Sequence, residues 1–388
     1  MHRNGMRKTL IITTISGFLP KFEMNDVNIV QEMGYEVHYA SNFNNPIYEI
    51  DEEELKRKGI VLHHIDIEKS VRKVASNIKA IKQIKKIIED EGIDLIHCHN
   101  PMGGVAARFA GKVSHSKPYI IYTAHGFHFF KGAPLINWVA FGTAERVMAH
   151  STDAIVTINT EDYQQAGRFR LKKNGFIEQI PGVGVDTDKF KRRIELRDEV
   201  REELGIPRDA FHIVTAAELN DNKNQIAVIE AIAQLNFQDI YYSLCGKGPN
   251  EQKLKERIEQ LGLENKVRLL SYRTDMDRVL QSADAFAFTS IREGLGIAAV
   301  EALLCGVPLI AADNRGTREY AINNVNAVIC NARDIKSIKW AIYKLYSDKS
   351  YREELSNNCR ESALRFSKEN TRKVMKRVYG LADHAISK

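Results

Sequence analysis

"SIREGLGIAAVEALLCGVPLIAA", Ser290 to Ala312, sets two carboxylates, Glu293 and Glu301, into an apolar run. Between them, Gly294-Leu295-Gly296-Ile297 suits a tight turn into a helix. The pattern predicts a helix that begins near Leu295, runs to Cys305 and stops at Gly306. "ADAFAFTS" before it reads as a strand, so Ser290 to Glu293 is the loop at that strand's carboxyl end. Backbone N–H groups around Gly294 to Ile297 would then point into a cleft, where the helix dipole also favours an anion. That is a diphosphate site without a Walker motif. Glu301, on the helix behind, suits vicinal ribose hydroxyls, and Glu293, nearer the tip, suits a reacting sugar. The plainer alternative is a capping acid plus a surface glutamate.

Working outward, the same alternation of short apolar strands and longer helical patterns fills both halves of the chain. The first half offers "TLIITTI", "YEVHYAS", "IDLIHCH", "PYIIYTAH" and "AIVTIN". The second offers "FHIVTAAE", "IYYSLCG", "KVRLLSY", "AFAFTS" and "VPLIAAD". Strands without polar alternation, separated by crossover helices, indicate parallel sheets covered on both faces. The fold class is α/β: two Rossmann-like, doubly wound domains, with a ligand cleft expected where the carboxyl ends of their strands face each other. The Gly/Pro cluster and polar segment of "IPGVGVDTDKFKRRIELRDEV" mark the boundary. Residues 1–190 form the first domain, 191–365 the second, and 366–388 a closing helix.

Bulk properties agree. A chain of 388 residues suits two ordinary domains. With 44% hydrophobic and 27% charged residues it is neither disordered nor fibrous, and a net charge of +6 is too small and dispersed to argue for nucleic acid. Five scattered cysteines without a C-x-x-C pair fit a reducing compartment rather than a zinc ribbon or disulfide framework. The start, "MHRNGMRKTLIITTISGFL", superficially mimics a signal peptide, but no small-residue cleavage site follows. Lys8 to Ser16 reads as a buried first strand. No apolar run is long enough to span a membrane.

With these stretches in hand, E-G-L-G-I-A-A-V-E resembles the hallmark of the family 4 retaining glycosyltransferases, which have the GT-B fold. The similarity extends over nearly the whole chain. "HCHNPMGG" resembles the family's N-domain loop, "YTAHGFHFFKGAP" its acceptor-side histidine loop, "IPGVGVDTDKF" its interdomain segment and "ELNDNKNQ" its basic donor loop. "TAHGFHFFKG" together with "ADNRGTREY" looks most like the branch that builds bacterial capsular and exopolysaccharides. The resemblance implies transfer of a hexose or N-acetylhexosamine from a nucleotide sugar, UDP-linked, to a lipid-linked glycan. It implies retention of configuration by front-face attack, with no cofactor.

Three residues carry the implied catalysis. His125, after the strand "PYIIYTA", positions donor sugar and acceptor; the plainer reading is a core or capping histidine. Lys223 matches the family's diphosphate-clamping lysine, in the loop that also holds Asn220. Glu293 orients the donor sugar. Gly294, Leu295, Gly296 and Ile297 supply amides, and Glu301 holds the ribose. Where the family commonly has an arginine, this chain has Glu218, which leaves Lys247, Arg273 or Arg292 to compensate. Gly17, after the first strand, is expected to let backbone approach the diphosphate. Gly246 and Lys247, in "LCGKGPN", are read as ligand contacts or a plain turn. Tyr272 and Arg273 lie where the nucleobase packs, and Asp275 is read as a helix N-cap.

Two D-x-D sequences, Asp186-Thr187-Asp188 and Asp275-Met276-Asp277, read as structural. His97 and His99 do not suffice for a metal site, no further ligand being close in sequence. Phe129, Phe130 and Trp138 read as core. From Lys69 to Lys86 there are seven basic residues and no acidic ones, with Val74, Ile78, Ile81, Ile84, Ile87 and Ile88 at helical spacing. Such a helix either docks with a solvated face or lies against anionic lipid. The implied protein is cytoplasmic and peripheral at the inner face of the membrane. Rival readings are a UDP-N-acetylglucosamine 2-epimerase-like enzyme, a glycosidase and a non-catalytic partner. An NAD-dependent oxidoreductase lacks its complete glycine fingerprint.

Overall fold

A computed structural model describes residues 6–44, 46 and 48–388; the first five residues of the basic start lie outside it. The chain divides into two compact units. One holds the residues up to Gly184 together with Lys368–Lys388, and the other holds Val185–Ser367.

In the first unit the strands are β1 (Lys8–Ile12), β2 (Glu36–Ser41), β3 (Ile60–His64), β4 (Leu95–His99), β5 (Tyr119–Ala124), β6 (Ala154–Thr157) and β7 (Phe176–Gln179). They form one sheet in the order β3-β2-β1-β4-β5-β6-β7, with every pair parallel. The second unit holds β8 (Phe211–Ala216), β9 (Ile240–Cys245), β10 (Val267–Leu269), β11 (Ala285–Phe288), β12 (Leu309–Ala312) and β13 (Ala327–Cys330). Its order is β10-β9-β8-β11-β12-β13, again all parallel. Helices cover both faces, so the central strands are buried end to end, as the unbroken apolar runs require. In each sheet the winding reverses once, between β1 and β4 and between β8 and β11. That reversal leaves a crevice at the strands' carboxyl ends.

The entry ends of β8 and β11 are tied by one buried charge cluster. Asp284 Oδ2 accepts from the His212 amide at 2.8 Å and from Arg201 Nη2 at 2.6 Å, while Oδ1 accepts from Arg197 at 2.7 Å. Arg201, fully buried, also donates to the carbonyls of Ser282, Pro207, Arg208 and Ala210. In the first unit, Asp94 and Asp153 accept in the same way from the amides of Lys8 and Ile120.

The closing helix, Lys368–Ile386, packs on the Met24–Glu32 helix of the first unit, with Arg372 and Lys376 both pairing with Glu32. The basic helix runs from Val74 to Glu91 and ends at Gly92 in the left-handed region, φ +69°. Ala80, Ile84 and Ile88 face inward, but Val74 and Ile78 are exposed. The level they would have filled is taken by Asn77, which accepts from the Glu68 amide and donates to the Ser70 carbonyl. Lys79, Lys85 and Lys86 pair with Asp66, Glu89 and Asp90.

Two stability outcomes follow from the buried clusters. Arg201→Met strands part of the Asp284 charge and five hydrogen-bond acceptors, and should cost about 3 kcal/mol in urea unfolding. His212 sits between Ser243 Oγ at 2.8 Å and the Ser282 carbonyl at 3.2 Å, and burial lowers its pKa to about 4. The unfolded chain therefore binds a proton between pH 6.5 and 4 that the folded chain refuses, so stability falls as pH drops through that window. The loss is on the order of 3 kcal/mol, and His212→Gln should flatten that acid limb in a pH series of unfolding curves.

Candidate active site

The second unit's crevice is built by two loops. After β8, the Asn220 side chain accepts from the Lys223 amide at 3.0 Å and folds the loop back on itself. After β11, the Ile291 amide donates to the Asn222 carbonyl at 2.8 Å, and Asn222 Nδ2 donates to the Arg292 carbonyl at 3.0 Å. The loops are thus zipped together across the switch point. The result is a direct ion pair between Lys223 Nζ and Glu293 Oε1, with the lysine also 5.6 Å above the Phe288 ring. The two side chains are 22% and 11% exposed, so the pair is sheltered but open at one side.

Gly296 adopts φ +95°, so the helix starts at Ile297 rather than near Leu295 and runs to Leu304. A Cβ on Gly296 would lie 2.4 Å from the Phe288 ring and 2.9 Å from the Tyr320 hydroxyl. Leu295 is buried beneath the turn, and Glu301 is half-buried on the helix behind it.

A third loop, part of the "ADNRGTREY" stretch but given no site role in the sequence reading, supports this turn. Asn314 Oδ1 accepts from the amides of Gly316 and Thr317, and its Nδ2 donates to the Ser290 carbonyl at 3.0 Å. Arg315, 6% exposed, donates to the Glu293 carbonyl at 3.2 Å. Gly316 packs so closely that a Cβ there would lie 2.9 Å from the Glu293 Cβ. The Tyr320 hydroxyl is buried without a hydrogen-bond partner, and burial plus the Glu293 charge hold its pKa well above normal. Asn-Arg-Gly-Thr directly after an apolar strand was the available signal, an Asx-type turn at a strand end.

The remaining expected residues have diverse surroundings. Gly246 is pressed against protein: a Cβ there would lie 1.9 Å from the Ala217 carbonyl, and Gly248 meets Leu219 in the same way. Their glycines serve loop-on-loop packing, and Lys247 between them is exposed. Tyr272 is half exposed. Arg273 is bound by both oxygens of Asp275, at 2.8 and 2.6 Å. Asp275 is the helix N-cap residue, as expected, though its carboxylate makes no cap bond. The expectation that Arg273 compensates for Glu218 is corrected, since Arg273 already has a counter-charge. Glu218 is exposed and accepts from Asn220 Nδ2 at 3.0 Å. Asp186 folds a turn by accepting from the amides of Asp188 and Lys189, and Asp277 pairs with Arg193.

In the first unit, a Cβ on Gly17 would lie 2.4 Å from the Tyr48 carbonyl, so the close approach there is filled by the chain's own backbone. Phe127 and Phe129 are stacked in the core with Phe169 and Trp138 around them. His125 follows β5 and is 18% exposed, with Phe18 edge-on at 5.0 Å. Its Nε2 turns inward to His99 Nδ1 at 3.1 Å and Glu23 Oε1 at 3.3 Å. Burial lowers the His125 pKa to about 4, so the ring is neutral at pH 7. Sequence separation had hidden Glu23 and Asp26, which stand beside His97 and His99.

Two Rossmann-like sheets, with a lysine–glutamate pair and a glycine turn at the switch point of the second, define a glycosyltransferase of the GT-B class. Residues 197–362 match the family described as glycosyl transferases group 1, and residues 10–159 match the family described as glycosyl transferase 4-like. The chain is 33% identical over 377 residues to EpsD of Bacillus subtilis (strain 168), which carries the name of a glycosyltransferase; the match covers 96% of each chain. It is 26% identical over 318 residues to the UDP-Gal:alpha-D-GlcNAc-diphosphoundecaprenol alpha-1,3-galactosyltransferase of Escherichia coli, covering 79% of this chain and 80% of that one. Among solved structures, Anabaena Alr3699/HepE in complex with UDP and glucose superimposes with a TM-score of 0.77 at 18% identity, covering 97% of this chain and 100% of that one. WaaG, a glycosyltransferase involved in lipopolysaccharide biosynthesis, does so at 0.74 and 15%, covering 97% and 98%. The chain belongs to the group 1 glycosyltransferases and is an enzyme of that class.

The turn's dependence on Gly296 is testable alone. Gly296→Ala adds a left-handed penalty of about 1–2 kcal/mol to an overlap with Phe288, and the variant should show a clearly lower midpoint in chemical unfolding. An unchanged midpoint would mean that the turn is not held in this conformation.

Proposed function

We propose that this enzyme transfers a hexose or N-acetylhexosamine from a UDP-sugar to a lipid-linked glycan, with retention of anomeric configuration, during surface polysaccharide synthesis. The observation that carries the reading is the sheltered Lys223–Glu293 pair at the switch point, beside the amides of the Gly294–Ile297 turn. Charge builds on the diphosphate as the glycosidic bond breaks, and preorganised donors at that point lower the barrier. Lys223 and the turn amides bind the diphosphate, Glu293 orients the sugar, and Glu301 takes the ribose hydroxyls. Asn220 shapes the lysine loop. Tyr272 and the backbone beside Gly246 border the base. Arg315, buried against the Glu293 carbonyl, supplies the cationic character that Glu218 cannot.

The second unit, Val185–Ser367, takes the donor in this reading and the first takes the acceptor, with His125 at the acceptor side and the closing helix, Lys368–Ile386, packed on the first unit. The named substrate of the E. coli relative, a diphosphoundecaprenol-linked sugar, supports a lipid-linked acceptor here. The UDP in the HepE complex supports the nucleotide. Val71, Val74 and Ile78 are exposed beside Lys69, Arg72 and Lys73, an apolar strip with basic flanks that suits an anionic membrane surface. Among the described residues no helix is long and apolar enough to cross a membrane, so the proposed site of action is peripheral, at the cytoplasmic face.

Nucleotide release from UDP-, GDP- and dTDP-sugars, with and without bacterial lipid-linked glycan, tests the reading. UDP release from one donor, stimulated by the lipid extract, is the expected result, and the anomer of the product reads out retention. Glu293→Gln should lower turnover at least about 100-fold while UDP still binds. UDP binding without turnover on any acceptor would instead make this a non-catalytic relative.

A further inference from the structure

The inward side of His125 opens onto a cluster that the transfer chemistry does not use. Glu23 ends the π-helical turn Leu19–Glu23, one of two such turns among the described residues, a geometry that commonly marks functional positions. It projects its carboxylate under the ends of β4 and β5. Glu23 Oε1, His99 Nδ1 and His125 Nε2 form a triangle with sides of 3.6, 3.3 and 3.1 Å. Zinc bonds of about 2.0–2.1 Å in tetrahedral geometry space ligand atoms about 3.4 Å apart. The triangle already has that size.

Three further observations point the same way. Glu23 is 4% exposed, yet its Oε1, one corner of the triangle, has no hydrogen-bond partner. Glu23 lies against a second buried carboxylate, Asp26, and among the described residues no lysine or arginine pairs with either. A buried acid pair without a cation is costly unless it is protonated or binds a metal. The next layer is also in place: His97 is fixed by the Tyr379 hydroxyl at 2.6 Å and Thr123 Oγ1 at 2.7 Å, with Asp26 Oδ2 at 3.5 Å. With both nitrogens engaged, His97 is no ligand; its ring packs on that of His99, with centroids 4.2 Å apart. His125, the one member that reaches the surface, gives an ion its way in.

We propose that Glu23, His99 and His125 bind one divalent transition-metal ion, zinc first, as a His₂-carboxylate site in the first unit. Burial keeps both imidazoles neutral at pH 7, the form that ligates. Another grouping, His38, His63 and Glu91, is a poorer candidate. His38 has one nitrogen on Glu36 and the other on His63, and Glu91 faces Lys8. The ion would fix the His125 ring from within, while the transfer reading concerns its outward side, so the site stands whether or not that reading holds.

The test uses the untagged full chain, stripped with a chelator and titrated with Zn²⁺ and Co²⁺. One equivalent should bind, and cobalt should give the visible absorption of a four- or five-coordinate nitrogen and oxygen site. Glu23→Gln and His125→Asn should each weaken binding by more than about 100-fold, and Tyr379→Phe, one layer out, by about tenfold. His63→Ala should change nothing. Circular dichroism checks that each variant is folded. Because His125 is partly exposed, its variant serves if Glu23→Gln does not fold. No stoichiometric binding to the parent chain, or unchanged binding in a folded His125→Asn, would overturn the proposal.

Discussion

The pairing of β8 with β11 is the constraint on which the second unit's site depends. The two strands share two register pairs, Ile213 with Ala285 and Val214 with Phe286, and beyond them Thr215 Oγ1 donates to the Ala287 carbonyl. That short contact, anchored below by Asp284 and Arg201, leaves the loops above it side by side. It brings Lys223 to Glu293 across 70 residues of sequence. The residues that build the base of the strands and those that face the crevice are therefore different sets. Disturbing the first changes stability, and disturbing the second changes the site.

Glycine does more structural work here than its count suggests. Gly17, Gly246, Gly248 and Gly316 all sit where a methyl group would strike the backbone or Cβ of a neighbouring segment. Each lets two loops approach to backbone contact at the carboxyl end of a sheet, as doubly wound folds require where several turns crowd into one edge. Only Gly296 combines that crowding with a left-handed backbone at the mouth of a helix. Glycines around the Gly294–Ile297 turn thus shape the protein itself.

Much of this was legible in the sequence, in proportion to burial. Every central strand was found, because strands covered on both faces are continuous apolar runs. The strands that escaped, β3, β7 and β13, lie at sheet edges; β3 is fully buried only at Ile60, and β7 is half-buried throughout. The Glu293 turn and the Lys223 loop were readable because strand, glycine and helix follow one another locally. The Asn314–Thr317 support and the Glu23 contact with His99 and His125 were not, since each joins segments whose adjacency comes only from the sheet order. Asp275 is the N-cap residue its position suggested, but its carboxylate is drawn away from the helix amides for a related reason. Arg273, two residues away, offers a charge-assisted bidentate partner stronger than a single backbone amide.

The charge at the donor site then has a definite balance. Lys223 and Glu293 neutralise each other, Glu218 adds a negative charge at the surface, and Arg273 is matched by Asp275. Lys247 and Arg292, both exposed, are the cations of these loops that stand outside those pairs. In the proposed reading an anionic diphosphate would be drawn as well by the amides of the Gly294–Ile297 turn, by the helix behind them, and by Arg315 behind Glu293. Backbone dipoles fixed by packing need no reorganisation as charge develops, and they gain strength in a site sheltered from water. On that ground the loop of Asn314 to Thr317, which holds the turn in place, matters to the site as much as the lysine that faces it.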